Sequence, residues 1–168
     1  MIRHLLVGLA AAGWLLAQPP SQATATGNTV ATVIYPLSVD RITDLDFGGV
    51  VSPTLASQVE ISPDKWSTTG TRHLVSGDAQ FLDDQFNQAA FLVKGAPGET
   101  FQVSTIPDTY LHAGNSSMTV RWYQVNSQYV FPSPNPEVKL TLGATLFIGA
   151  YQPKGNYSGN FSFTINYQ

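Results

Sequence analysis

Residues 155–168 read GNYSGNFSFTINYQ, and from Tyr157 onward every second position is aromatic, aliphatic or glycine. A period of two is the pattern of a β-strand with one buried face. The eleven residues from Tyr157 to Tyr167 span about 36 Å when extended, roughly twice the length of an average strand. Burial of four large side chains is worth about 6–12 kcal/mol, comparable to the stability of a whole domain. We therefore expect a partner to cover this closing strand, whose large apolar members are Tyr157, Phe161, Phe163, Ile165 and Tyr167.

The partner of the closing strand is either an internal strand or a strand from another chain. In a complete immunoglobulin-like sandwich a further strand would follow and pair with it, whereas this chain stops at Gln168. A second molecule can also supply a strand at an open sheet edge. Both partners stay open at this point.

The composition favours an all-β protein. The chain of 168 residues has room for one domain with its own core. Only 11% of its residues are charged, and its many Gly and Pro residues suit short strands joined by turns. Turn residues recur roughly every ten positions, and helical spacing is not sustained. We predict an immunoglobulin-like antiparallel sandwich of two sheets.

Particular stretches have the alternation expected of strands. AAFLVKGAPGETFQVSTI (89–106) predicts a hairpin, because Pro97 and Gly98 supply the φ values of a type II turn at Ala96–Glu99. Phe91 and Val93 would then face Phe101 and Val103 across it. The other predicted strands are SQVEIS (57–62), RHLVSG (72–77), SSMTVRWYQV (116–125) and EVKLTLGATLFIGA (137–150), the last broken at Gly143.

The first 23 residues have the features of a secretory signal. Arg3 and His4 precede an apolar run, 5–17, that is shorter than the roughly 20 residues needed to span a bilayer. Small residues permit cleavage after Ala23 or after Ala25, and we expect the former. The mature protein would pass through the periplasm to the cell surface or the medium, without membrane insertion.

Residues 24–35, TATGNTVATVIY, form an uncharged, β-prone segment before a break at Pro36. A single domain does not require this segment to fold onto its own body, so it is a candidate donor strand for a neighbour. A first strand of the same sandwich, or a free tail, would explain the pattern as well. The candidate donor residues are Val30, Ala31, Val33 and Ile34, and the sandwich domain is assigned to residues 36–168.

The composition also argues against several function classes. The chain has no cysteine, which excludes disulfides, thiolate ligands and a thiol nucleophile. Its net charge of −3 gives no positive excess for binding nucleic acid. Beyond the signal, the histidines are His73 and His112, which lack the spacing of a metal site. We predict a non-enzymatic protein without cofactor or metal.

Two groups of carboxylates have simpler interpretations than catalysis. Asp78, Asp83 and Asp84 in SGDAQFLDDQF (76–86) lack the positions of a calcium loop, so a solvated loop is preferred over a Ca²⁺ site or a hydrolase centre. Asp44 and Asp46 in TDLDFGG suit a turn capped by its own side chains.

Aromatic residues support an alternative function, a monomeric secreted carbohydrate-binding or adhesin module. Flat rings stack on the apolar faces of sugars, although aromatics in small sandwiches more often form core or cross-strand pairs. Tyr157, which follows QPKG, is either an ordinary core aromatic or the donor of a tyrosine-corner hydrogen bond. The candidate sugar-stacking residues are Trp66, Trp122, Tyr123, Tyr129 and Tyr151.

Three stretches carry a resemblance to a known family: VIYPLSVDRITDLDFGGVVSP, AAFLVKGAPGETFQVSTIP and LTLGATLFIGAYQPKGNYSGNFSFTINYQ. Over nearly all of its mature length the chain resembles the bacterial secreted family called domain of unknown function 4402. That family is similar to the spore coat protein U and archaic chaperone–usher pilin group. Subunits of that group are sandwiches that lack a last strand. A neighbour's N-terminal extension fills the vacant groove, and a chaperone strand holds the place beforehand.

The resemblance implies a structural subunit of a cell-surface fibre or matrix that assembles by β-strand addition. Its partners would be further copies or related subunits, with a periplasmic chaperone and an outer-membrane usher. Residues 24–35 would be the donor, and the closing strand would line the acceptor groove. The chain departs from the pilin pattern in three respects: it has no cysteine staple, its donor is short, and it carries two segments without a pilin role, DAQFLDDQFNQ (78–88) and FPSPNPE (131–137).

Overall fold

The computed structural model describes residues 35–168, which lie within one compact unit, Ile34–Gln168. No helix occurs among them, and so no helix there is long and apolar enough to cross a membrane. The predicted signal and the candidate donor residues Val30, Ala31, Val33 and Ile34 lie outside the described residues. The strands are β1 Ser38–Thr43, β2 Val50–Val51, β3 Ser57–Ser62, β4 Thr71–Ser76, β5 Gln80–Phe81, β6 Ala89–Lys94, β7 Phe101–Val103, β8 Thr109–Ala113, β9 Ser116–Asn126, β10 Glu137–Ile148 and β11 Ile165–Tyr167.

A seven-stranded antiparallel sheet is organised around β10. One edge of β10 pairs with β9, which pairs in turn with β8. The other edge pairs first with β6, along Glu137–Leu142, and then with β3, along Ala144–Ile148. The outer neighbours are β1 beside β6 and β4 beside β3. Two small sheets, β7–β11 and β2–β5, pack on the inner face and complete an all-β, sandwich-like fold.

The predicted break at Gly143 is wrong, because β10 is continuous through this residue. Gly143 instead marks the point where one edge of β10 changes partner from β6 to β3. A Cβ at this position would overlap the carbonyl oxygen of Ile61 and lie 2.8 Å from Cδ of Pro63. The absence of a side chain therefore permits a close approach of two backbones.

The core consists of two clusters along the inner face of β10. Alternation along this strand directs its even-numbered residues inward, from Val138 to Ile148, and all of them are buried. The first cluster contains Phe47, Val59, Ile61, Ala79, Val120, Ala144, Leu146 and Ile148. The second contains Ala89, Val93, Phe101, Phe131, Val138, Leu140 and Leu142.

The predicted hairpin over 89–106 is also wrong, although its turn is as predicted. Glu99 N–H donates to Ala96 O at 3.2 Å, and Gly98 has φ +81°. However, β6 pairs with β1 and β10, whereas β7 pairs with β11 in the opposite sheet. The chain therefore crosses between sheets at this turn, where Gly98 N–H bonds to Phe131 O at 2.9 Å. The apolar residues of the two strands meet within the core, not as cross-strand neighbours.

The proline-containing loop at 131–137 closes one end of the core. Phe131 is fully buried, and its ring centroid lies 4.8 Å from that of Phe101. The ring packs so closely on Gly95 that a Cβ there would overlap it. The loop thus carries a core side chain, which its proline pattern did not predict.

The closing segment keeps its alternation but only part of its pairing. Burial alternates from Phe161 to Gln168, yet the ladder covers only β11, with one isolated bridge between Ser158 and His112. The antiparallel registers of β11 with β7 and of Ser158 with His112 place residues 159–163 opposite a stretch that contains Pro107. Proline has no N–H to donate to a strand ladder. A regular eleven-residue strand, as predicted, is therefore not formed.

Candidate functional site

A groove with a volume of about 1170 Å³ runs along the inner face of the large sheet. Its leading wall is formed by residues from Val39 to Ser52, and its closing wall by residues from Pro153 to Phe163. The volume lies just above the roughly 300–1000 Å³ of small-molecule sites. The floor consists mainly of apolar side chains: Phe91, Leu111, Met118, Val120, Tyr123, Leu146 and Ile148.

The leading wall begins with β1, an edge strand that pairs only with β6 among the described strands. The predicted self-capping turn follows: Gly48 N–H donates to Asp46 Oδ1 at 2.9 Å, and Gly48 adopts φ +72°. The chain then enters β2, whose partner is β5. The turn thus redirects the chain from one sheet to the other.

The 78–88 segment, which had no predicted role, is hydrogen-bonded to this leading wall, and its Leu82 and Gln85 line the groove. Asp46 N–H bonds to Asn87 O at 2.8 Å, and Leu82 N–H bonds to Gly49 O at 3.0 Å. Sequence reasoning missed this function because the segment shows no strand alternation.

Arg72 of β4 joins the same segment to the wall. Its guanidinium donates to the carbonyl oxygens of Phe47, at 2.9 Å, and Asp83. It also lies 4.1 Å from the ring centroid of Phe81 and 4.7 Å from that of Phe86. Such a cation–π arrangement adds to the hydrogen bonds. One arginine therefore fixes the position of the wall relative to β4.

The carboxylates of the 78–88 segment bond to nearby backbone and side-chain groups. Asp78 accepts hydrogen bonds from the Thr54 hydroxyl, from Thr54 N–H at 3.2 Å and from Leu55 N–H at 2.9 Å. These bonds, led by the one from the Thr54 hydroxyl, hold the pKa of Asp78 below its ordinary value. Asp83 accepts from Gln85 N–H at 2.9 Å. The described residues contain no group of three His, Asp or Glu side chains placed to bind a metal.

The closing wall starts with a tyrosine corner. The Tyr157 hydroxyl donates to Pro153 O at 2.7 Å and accepts from Gln152 Nε2 at 2.9 Å. The donor of such a hydrogen bond was one of the two roles that the sequence analysis gave for Tyr157. The bond fixes the start of the wall relative to the end of β10.

Two phenylalanines continue the closing wall into the groove. The ring of Phe161 lies 5.4 Å from that of Tyr123, and the ring of Phe163 lies 4.9 Å from that of Phe91. Phe161 and Phe163 are only half-buried, as is Tyr157. Ile165 and Tyr167 do not line the groove, because they lie in β11 and pack against the second core cluster.

The chain segments that flank the two walls meet beyond both ends of the groove. At one end Ser52 Oγ donates to Gln152 O at 2.8 Å, and Tyr151 N–H donates to Pro53 O at 2.7 Å. At the other end the Tyr167 hydroxyl donates to Tyr35 O at 3.0 Å. The walls are thus antiparallel, and no strand of the described part of the chain lies between them. One added strand would run parallel to one wall and antiparallel to the other.

The interior along the groove is not fully covered. Val39 pairs with the fully buried Val93 and therefore points to the same inner side, yet 41% of Val39 is exposed. Sandwich interiors normally bury such side chains, so the inner face beside β1 is incompletely covered.

The charged side chains that line the groove are Arg41, Asp44, Asp46 and Lys154. Arg41 forms an ion pair with Asp44 at 2.8 Å, at the edge of the groove. Burial raises the pKa of Tyr123, an effect that the hydrogen bond with the Thr109 hydroxyl, at 2.5 Å, opposes. Tyr123 therefore presents a neutral hydroxyl. His73 and His112 lie on β4 and β8 and do not line the groove.

The five candidate sugar-stacking residues do not form one surface. Tyr123 faces the interior, and Tyr129 lies against Phe101 with a centroid distance of 5.6 Å. Trp66 and Tyr151 are exposed in separate loops. Only Trp122 lies on the outer face of the large sheet, against Phe147.

The sequence was also compared with known proteins and protein families. Residues 37–167 of the chain match the family described as "Domain of unknown function (DUF4402)". No curated protein and no solved structure matches the chain.

Proposed function

The chain belongs to the family of the domain of unknown function 4402, and we propose that it is a non-enzymatic structural subunit of a bacterial cell-surface fibre or matrix. In this proposal subunits assemble by β-strand addition, and the groove between the leading and closing walls is the acceptor. The supporting observation is the groove itself, a long apolar channel between two antiparallel walls.

The dimensions of the groove suit one extended strand. Beyond the tyrosine corner, the closing wall from Ser158 to Phe163 has six residues, and a strand of six residues spans about 20 Å, the length of an average strand. Each large apolar side chain that becomes fully buried in the groove contributes roughly 1.5–3 kcal/mol. Backbone hydrogen bonds to β1 and to the closing wall would add affinity, as in other cases of strand addition.

The proposed donor is residues 24–35 of another copy or of a related subunit. The segment is uncharged and provides Val30, Ala31, Val33 and Ile34 as apolar side chains. Its last residue, Tyr35, contacts Tyr167 at one end of the groove. A subunit with an uncovered interior is prone to aggregate, so a periplasmic chaperone strand and an outer-membrane usher are proposed partners.

The experiment compares the chain from residue 24 with a truncated chain that starts at Pro36. We expect the longer chain to form concentration-dependent polymers, seen by negative-stain microscopy and as ladders on unboiled gels that boiling collapses. The truncated chain should be monomeric, and a synthetic peptide of residues 24–35 should bind it and raise its melting temperature. Polymerisation of the truncated chain to the same extent would show that residues 24–35 are not the donor.

A further inference from the structure

Trp122 is held on the outer face of the large sheet, on the side opposite the groove. Strand β9 carries one extra residue here: Arg121 pairs with Thr145 and Gln124 with Gly143, so two residues of β9 face one of β10. Trp122 adopts φ +52°, a conformation that is rare for bulky residues. This bulge directs Tyr123 inward and leaves Trp122 outside with 60% of its surface exposed.

The Trp122 ring packs edge-on against Phe147, which Arg121 covers in turn. Its centroid lies 4.9 Å from that of Phe147, with the planes at 77°. The guanidinium of Arg121 lies 5.4 Å from the Phe147 centroid, and its Nε lies 2.9 Å from the Asp108 carboxylate. A ring fixed before binding loses little entropy on binding.

Polar groups surround this aromatic pair. Glu60 pairs with Thr145 across β3 and β10, and its carboxylate accepts a hydrogen bond from Gln124 Nε2 at 3.0 Å. The Thr145 hydroxyl is buried and has no hydrogen-bond partner among the residues that the structure describes. A cavity of about 230 Å³ adjoins Phe147 and Gln58. The site thus combines exposed aromatic surface with a carboxylate, an amide and a guanidinium.

We propose that this outer face binds a neutral glycan. A pyranose ring would stack on Trp122, and its hydroxyl groups would exchange hydrogen bonds with Glu60, Gln124 and Arg121. The alternating C–H and O–H groups of a sugar match this mixture of aromatic and polar side chains. A protein partner would instead favour a larger continuous apolar patch. Because the site lies on the face opposite the groove, glycan binding is independent of strand addition.

The test uses the purified chain and a panel of soluble probes: mannan, dextran, xylan, cellohexaose and chitohexaose. Trp122→Gly removes the ring, and glycine accepts the positive φ without strain. We expect the variant to bind the recognised probe at least about tenfold more weakly, a loss of about 1.4 kcal/mol. Trp66→Ala is the matched control, because Trp66 is 86% exposed in a separate loop. This variant should bind the probe with the affinity of the unmodified chain. Trp122→Phe should retain part of the binding.

Three readouts decide the proposal. Affinities come from isothermal titration calorimetry, the fold from near-ultraviolet circular dichroism, and polymer formation from size-exclusion chromatography. Trp122→Gly should leave polymer formation unchanged, which separates this site from the groove. The proposal is overturned if the unmodified chain binds none of the probes, if Trp122→Gly binds as tightly as the unmodified chain, or if Trp66→Ala weakens binding equally.

Discussion

Phe161→Ala should weaken the binding of a donor strand in addition to destabilising the isolated subunit. The Phe161 ring lies 5.4 Å from that of Tyr123, 6.3 Å from Phe91 and 6.4 Å from Phe163, and it is half-buried beside the open groove. Truncation of a fully buried phenylalanine costs about 3–5 kcal/mol. With one side open to the groove, we expect a loss of about half that, ~1.5–2.5 kcal/mol, in the chain that starts at Pro36.

A bound strand would cover the remaining surface of Phe161. The same substitution should then cost a further ~1–2.5 kcal/mol in the complex, which corresponds to a roughly 5- to 70-fold increase in the Kd of the 24–35 peptide. The matched control is Phe131→Ala, because Phe131 is fully buried at the end of the second core cluster and does not line the groove. It should destabilise the subunit by about 3–5 kcal/mol and leave peptide affinity unchanged.

Urea denaturation measures the free energy of unfolding, and fluorescence anisotropy of a labelled peptide measures its Kd. Both are recorded for the unmodified, Phe161→Ala and Phe131→Ala forms of the chain that starts at Pro36. If Phe161→Ala changes the Kd no more than Phe131→Ala does, the groove is not where the peptide binds.

Three further predictions concern the parts of the fold that shape the groove. Gly143→Ala should destabilise the protein by about 1–3 kcal/mol or more in urea denaturation, because its Cβ would overlap the Ile61 carbonyl. Gly149→Ala, whose Cβ would meet only Gln152 Oε1 at 3.1 Å, is the control, and equal losses would contradict the role given to Gly143. Tyr167→Phe removes hydrogen bonds to Ala96 N–H, at 2.8 Å, and to Tyr35 O, at 3.0 Å. The substitution should lower the free energy of unfolding by about 1–2 kcal/mol and speed proteolysis near Tyr35. Unchanged cleavage would show that the Tyr167 hydroxyl does not anchor the segment around Tyr35. Because the folded pKa of Asp78 is lowered, its hydrogen bonds contribute stability above about pH 4 that is lost as the pH falls through the folded pKa. Asp78→Asn should therefore flatten the fall in melting temperature below pH 4, and an identical acid profile for both proteins would refute this assignment.

Local patterns predicted the strands that have one buried face. SQVEIS corresponds to β3 residue for residue, with Val59 and Ile61 fully buried. The turn at Ala96–Glu99 and the capped turn at Asp46 also followed from side-chain chemistry. These features depend on neighbouring residues alone, so a sequence reports them directly.

Features that depend on distant residues were not predictable in the same way. The pattern of 89–106 is the same whether its two strands pair or cross between sheets, and the partners that they take in the structure, β10 for β6 and β11 for β7, are distant in sequence. Gly143 similarly signals a close approach, but its sequence context does not say that Ile61 is the neighbour. Register with distant strands is set by tertiary packing.

The groove was anticipated only in part. The alternation after Tyr157 indicated an apolar face in need of cover, but it did not show that β11 would be covered within the chain while Phe161 and Phe163 would face an open channel. The opposite wall depends on Arg72 and the 78–88 segment, whose contacts join residues far apart in sequence.

The most direct test of strand addition between subunits is a cysteine cross-link, which the cysteine-free chain makes specific. One copy carries Ser162→Cys in the closing wall, and the other carries a cysteine at position 30, 31, 33 or 34. After mixing under mild oxidation, we predict a disulfide-linked dimer of the two copies for at least one donor position, also when the copy that carries Ser162→Cys starts at Pro36. A cysteine pair placed in one chain that closes only within that chain, or the absence of any cross-link at all four positions, would contradict the account.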